Sequence, residues 1–286
     1  MAQKSVYRRQ LAARLRELRE ESDLTLTDVA EDVEVSPGAL SRIENGDRGT
    51  SPVLVKALLD RYGTQDPAVR EDVLDLVRAD QAQKRPWWRK YAAVVNTTQY
   101  GGFLALESGA SAIRSYEALW MPGLLQTEEY ARSVIGELRT DLTSRQVDTL
   151  VKVRMQRQQL LEGDGAPKLW VVIDEAALRR RVGGESVMLG QLERLVQVCD
   201  HPQITVQLLP FDAGVHAGLY GAFVLMDFPQ PTPQVVWVES LTNSVCFESS
   251  KDIDRYAETF DQLRALAVGP PETRRRFQEA IRELSQ

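Results

Sequence analysis

Cysteine and histidine are scarce in this chain, two of each in 286 residues: Cys199, Cys246, His201 and His216. Two cysteines exclude a disulfide framework, and the four residues together match no zinc-binding spacing. There is no G-x-S-x-G elbow, no Cys/His cluster and no phosphate-binding glycine motif. The common signatures of an enzyme are therefore missing, and no catalytic residue, metal or cofactor is expected. No apolar run approaches the 18 residues that suggest a membrane span, and residues 1–10 do not read as a secretory leader. A cytoplasmic protein without a membrane partner is expected. Internal repeats and low-complexity segments are lacking too. So is an excess of positive charge, because the net charge is −6. Residues 1–90 hold 16 basic and 16 acidic residues, whereas the remainder holds 19 and 25. The acidity belongs to the C-terminal part, and a neutral N-terminal part can still present a local basic face. The length suffices for two domains.

What is present is concentrated in residues 25–46, TLTDVAEDVEVSPGALSRIENG. Val29 and Val33 are four apart on one predicted helix, and Leu40 and Ile43 three apart on a second, so all four can face one core. Ala30 is the small residue where the two helices cross. Thr25 predicts an N-cap, with Asp28 three residues later as a capping-box partner. Ser36-Pro37 supplies an N-cap and a proline at the first helical position, and Gly46 after Asn45 ends the second helix. Two short helices with a tight link form the unit that lays its second helix in the DNA major groove. Arg42 is the best base reader, because a guanidinium can bond guanine O6 and N7 together. Ser41 can donate to a base edge or a phosphate, and Arg48, just past the helix, suits the backbone. With Ser36, Pro37, Gly38 and Asn45 they make the candidate set of contacts to double-stranded DNA.

These residues, with Val35-Ser36, Leu40–Gly46 and the later Ser51-Pro52 helix start, resemble the Xre-type, phage-repressor-like five-helix domain over about residues 6–80. The resemblance implies an all-α helix-turn-helix domain. It also implies a structural pair between Arg19 on the first helix and Glu44 on the recognition helix. Two positions depart from that pattern. The turn residue, usually a glycine with positive φ, is Glu34, which costs roughly 1 kcal/mol if the geometry is kept. The frequent phosphate-binding glutamine is Leu26, which cannot hydrogen-bond a phosphate. Neutral charge and weak anchoring at Leu26 favour binding as a homodimer.

The expected division is residues 1–82 for DNA binding, 83–98 as linker, and 99–286 for regulation and dimerisation. Helices are predicted near 6–22, after Ser51 and from Asp66-Pro67 to about Gln83. In the linker, Trp87-Trp88 between basic residues fits stacking on single-stranded bases or, more commonly, a hydrophobic plug. Strands are predicted at 112–120, 169–173, 204–209, 221–227, 234–239 and 244–248. Helices are predicted at about 127–135, 142–161, 175–181, 187–199, 253–267 and 272–284. The expected C-terminal fold is α+β, a mainly antiparallel sheet flanked by helices. PGLLQTEEYA (122–131), RQQLL (157–161), LWVVIDEAALRRRVGG (169–184), QLERL (191–195), ITVQLLPFDAGVHAGLYGAF (204–223) and FDQLRALA (260–267) resemble actinobacterial Xre-type regulators with a WhiJ-like, antitoxin-like C-terminal domain. That resemblance implies transcriptional control, often beside a gene for a small antagonist protein.

Phe211, His216, Tyr220 and Phe223 are the candidate partner- or ligand-binding residues. The glycines around them fit either close backbone approach to a ligand or a wide hairpin. Asp174-Glu175 reads as a catalytic acid pair or, more simply, as a helix N-cap and first-turn charge. Arg179-Arg180-Arg181 reads as a solvated face or a partner patch. Two functions remain in view: a regulator that receives a partner protein, and a regulator with a small-molecule pocket in the C-terminal domain.

Overall fold

A computed structural model describes residues 6–82, 86–95, 100–229 and 232–285. The chain forms two compact units. One comprises 1–89 with 102–109 and 228–233, and the other 90–101, 110–227 and 234–286. Residues 83–85 and 96–98 of the expected linker, Lys84 and Arg85 among them, lie outside the described residues.

The first unit opens with five helices, α1 (Val6–Glu21), α2 (Leu26–Asp32), α3 (Pro37–Glu44), α4 (Pro52–Arg61) and α5 (Pro67–Ala82). Their starts are set by local chemistry. Thr25 Oγ1 accepts from the Asp28 amide while Asp28 accepts from the Thr25 amide, closing a capping box. Ser36 and Ser51 cap α3 and α4 by accepting from the Ala39 and Leu54 amides, each followed by a proline at the first helical position. Gly46 and Gly63, both with φ of 70°, end α3 and α4. Glu34 takes φ of 54°, and the Val35 amide reaches back to the Ala30 carbonyl at 3.0 Å. The left-handed turn is thus built without glycine, at the cost noted above. Leu15, Val29, Leu40, Val55, Leu58 and Val73 are central to the core, which Val33 and Leu26 cover from its margin.

Trp87–Tyr91 forms a 3₁₀ turn in which Trp88 is buried and meets Trp87 edge-on at 5.5 Å. The two short helices α6 (Ala92–Val95) and α7 (Tyr100–Glu107) follow. The second unit then runs β1 (Ala112–Glu117), α8 (Glu128–Leu138), α9 (Ser144–Arg157), β2 (Lys168–Asp174), α10 (Glu175–Arg179), α11 (Glu185–Val198) and β3 (Ile204–Leu209). It closes with β4 (Phe223–Asp227), β5 (Val235–Glu239), β6 (Ser244–Phe247), α12 (Ser250–Leu266) and α13 (Pro270–Leu284). The six strands form one sheet in the order β3-β2-β1-β4-β5-β6.

The expectation of a mainly antiparallel sheet needs correction, because the sheet is mixed. β1 pairs parallel with β2, and β2 with β3. The β1–β4, β4–β5 and β5–β6 pairings are antiparallel. The reason is connectivity. Helices α8 and α9 lie between β1 and β2, and α10 and α11 between β2 and β3, which are the long crossovers that parallel neighbours require. Strands β4 to β6 are joined by short loops and reverse direction. One face of the sheet, carrying Tyr116, Val172, Leu209, Phe223, Leu225 and Val236, packs against Phe260 and Leu263 of α12. Strand alternation places Ser115 and Glu117 on the opposite face.

Candidate nucleic-acid interface

The α3 sequence PGALSRIE has its apolar residues on one side, so the helix divides cleanly. Ala39, Leu40, Ile43 and Glu44 are buried. Ser36, Pro37, Gly38, Arg42, Asn45 and Arg48 are exposed, and Ser41 is half-buried. Arg42 lies back along its own helix, with Nη1 3.6 Å from where a Cβ on Gly38 would stand. A side chain at position 38 would meet the guanidinium in ordinary van der Waals contact. Asn45 Nδ2 donates to Ser41 Oγ at 3.3 Å. The amides of Asp47 and Arg48 both donate to the Arg42 carbonyl, so the segment after the helix is tied to its last turn.

Glu44 faces the interior. Arg19 Nε donates to both its carboxylate oxygens, at 2.9 and 3.0 Å, and Tyr62 Oη donates to Oε1 at 3.4 Å. Arg19 Nη1 continues to the Leu24 carbonyl at 2.8 Å. The hydrogen bond it donates to Glu44 holds the Arg19 guanidinium above its ordinary range, and burial pushes the Tyr62 hydroxyl up. Helix α1, the turn before α2, the recognition helix and the end of α4 thus meet at one carboxylate. Leu26, at the position discussed above, packs on the core.

Charge distribution sharpens the picture. Arg8, Arg14, Arg16, Arg61, Arg70 and Arg78 each pair with a carboxylate, as Arg19 does. Among the described residues of this unit, Arg42, Arg48 and Lys56 are exposed cations in no ion pair. Sequence reading missed Lys56. Its signal lay in the Ser51-Pro52 helix start, which sets Val53, Lys56 and Asp60 on the outer face of α4, where all three are exposed.

The C-terminal candidates fall on two sides of their loop. Phe211 and Tyr220 are exposed, Tyr220 at 99 %. His216 and Phe223 point inward, where His216 Nε2 lies 3.7 Å from Asp174 Oδ2 and Phe223 packs on Tyr256. Tyr116 Oη donates to the same Asp174 oxygen at 3.0 Å, while Oδ1 accepts from the Ala176 amide at the start of α10. Gly218 lies so close to Tyr116 that an added Cβ would come within 2.6 Å of the ring. Glu175 accepts from the Phe211 amide at 3.0 Å and from Arg179. Asp174 and Glu175 thus hold a helix start and a loop in place. Arg179 and Arg181 are exposed in ion pairs with Glu175, Glu283 and Glu185. Among the described residues no group of three or more His, Cys, Asp or Glu is placed to hold a metal ion. No described helix is long and apolar enough to cross a membrane.

Residues 100–279 match the family described as a domain of unknown function, DUF5753. Residues 10–73 match a helix-turn-helix domain. A solved structure, the clp gene regulator ClgR from C. glutamicum, is 32 % identical over 28 % of this chain and 97 % of its own, with a TM-score of 0.23. No curated protein matches.

Proposed function

We propose, for a chain that belongs to the DUF5753 family and carries a helix-turn-helix domain ahead of it, sequence-specific binding of double-stranded DNA as a transcription regulator rather than an enzyme. The observation that carries this is the exposed set of cations in no ion pair, Arg42 on the recognition helix, Arg48 just past it and Lys56 on α4. In this reading residues 1–82 read DNA in the cytoplasm, 83–98 link, and 99–286 dimerise and regulate. The finer assignment, an Xre-type regulator with a WhiJ-like domain that receives a small antagonist protein, rests on the sequence resemblance. Exposed Phe211, Val215, Leu219 and Tyr220 supply an apolar surface suited to such a protein. His216 and Gly218 would then hold the surface in shape. A small-molecule effector in the same unit is the second reading, favoured by the buried, unpartnered Nε of Arg154.

Arg42→Ala is expected to cost about 1–3 kcal/mol on the preferred sequence and to relax preference at one position of each half-site. Arg48→Ala and Lys56→Ala should instead weaken all sequences alike, each lowering the slope of log K against log salt by about 1. Titrations on matched and scrambled duplexes at several salt concentrations separate the two behaviours. A uniform loss for Arg42→Ala would remove it as a base reader.

Binding is expected to be two-fold, with half-sites about 34–36 Å apart or a multiple of that. Light scattering of the free protein and of its DNA complex measures this. A monomer in both would sink the dimer.

A further inference from the structure

On the sheet face away from α12, Ser115 is buried and its Oγ donates to Glu117 Oε1 at 2.8 Å. Arg154 and Arg157, three apart on one side of α9, both draw on the Glu117 carboxyl electrostatically, while Glu239 at the end of β5 opposes them. Among the described residues, however, neither Glu117 nor Arg154 enters an ion pair. Arg154 Nη1 donates to Gln126 Oε1 at 2.8 Å, and its Nε is buried with no partner. Arg157 Nη1 donates to Tyr100 Oη at 3.3 Å, in a space that Gly123 keeps open, since a Cβ there would stand 3.0 Å from that nitrogen. Buried Tyr130 completes the surroundings and feels the Glu117 charge. Burial pushes the Glu117 carboxyl up to about 7 despite Ser115 and both arginines. A buried guanidinium N–H without an acceptor in the chain is costly, and an ordered water or a bound ion supplies the acceptor.

We propose that the second unit binds a small anion, a carboxylate- or phosphate-bearing molecule, at the carboxyl end of β1, with Arg154 as its anchor and Glu117 beside it. The sign of the ligand follows from the charges. Arg154, its Nε buried without a partner, lies near a carboxyl that is readily neutral, and the nearby carboxylate of Glu239 is exposed and screened by water. A protonated Glu117 still accepts from Ser115 and gains an O–H to donate. The place fits as well, because β1, β2 and β3 run parallel and ligands of open sheets sit beyond the carboxyl ends of such strands. The proposal rests on the small-molecule reading of this unit and names its ligand class.

Calorimetric titration of the full chain with inorganic sulfate, inorganic phosphate and succinate tests it, with sodium chloride at equal ionic strength as the control. Saturable binding is expected for at least one of the three. Sulfate keeps its charge between about pH 6 and pH 8, so its affinity reports Glu117. It should fall towards tenfold per pH unit above about 7, because binding retains a proton that the free site releases. Glu117→Gln should keep binding and flatten that dependence, and Arg154→Ala should lose at least tenfold. If Arg154→Ala does not fold by near-ultraviolet circular dichroism, Arg154→Lys decides, since it keeps the charge and removes Nε. Absence of saturable heat with all three anions overturns the site, as does undiminished binding by the Arg154 variant or a flat pH profile in the parent. Operator affinity is measured separately with and without the anion. Binding that leaves operator affinity unchanged supports the site and counts against the regulatory reading alone.

Discussion

Arg19→Met is expected to destabilise the helix-turn-helix unit by about 3–5 kcal/mol, the cost of leaving one member of a buried ion pair alone. The Glu44 side chain is 3 % exposed and that of Arg19 12 %, so water cannot replace the lost donor. Tyr62 Oη, at 3.4 Å, offers only a weak remaining bond. In a unit of this size the loss corresponds to a fall in midpoint of roughly 15–30 °C. Arg19→Met/Glu44→Leu should recover most of it, because an apolar pair of similar volume leaves no stranded charge. Scanning calorimetry of the full chain, following the transition that loses helix-turn-helix structure, gives both numbers. A single variant within about 1 kcal/mol of the parent, the span of an exposed pair, would show that the carboxylate finds water after all.

Gln191→Leu should be nearly as damaging, at about 2–6 kcal/mol, although it removes no volume. Gln191 is fully buried on α11, where its Nε2 donates to the Leu125 carbonyl at 2.9 Å and its Oε1 accepts from the Thr127 amide at 2.8 Å. Those two backbone groups lie in the turn between β1 and α8, and each left unpaired costs about 1–3 kcal/mol. The same turn is held from just past α9 by Gln158 Nε2, which donates to the Gln126 carbonyl at 2.7 Å. Hydrogen exchange gives a local readout. The Thr127 amide should be protected in the parent and exchange freely in the variant, while amides of the helix-turn-helix core stay unchanged. Equal protection of Thr127 in both proteins would mean that the turn does not depend on Gln191.

Much of the fold was legible because its boundaries are set by adjacent residues. Thr25, Ser36-Pro37, Ser51-Pro52 and Thr127 each form the cap that their side-chain chemistry suggests, and Ile204–Leu209 is a strand with the limits its apolar run implies. Strand partners were harder to read. LWVVID and ITVQLL are nearly continuous apolar runs separated by helices, which is the pattern of parallel strands buried on both faces. The later strands, bounded by Pro- and Gly-rich turns, carry the antiparallel signal. Helix Tyr100–Glu107 was missed because YGGFLALE carries two glycines in its first turn that lower its local propensity. Candidate positions on α3 stand close together in the chain, so a single helical repeat groups them. Glu117, Arg154 and Glu239 come from a strand end, a helix and another strand, and no local periodicity could have joined them.

The central place of β1 has a consequence for the order of events during synthesis. The core of the first five helices draws on residues between Leu11 and Val77, so it can close early and quickly, as local topologies do. β1 has to wait for its antiparallel neighbour: Arg114 and Asp227, joined across that pairing, are 113 residues apart. At elongation rates of about 5–20 residues per second, that wait lasts on the order of ten seconds. A nascent chain therefore presents a finished recognition helix well before the sheet exists. Premature termination anywhere in that interval would release a folded helix-turn-helix unit without the sheet that accompanies it in the full chain.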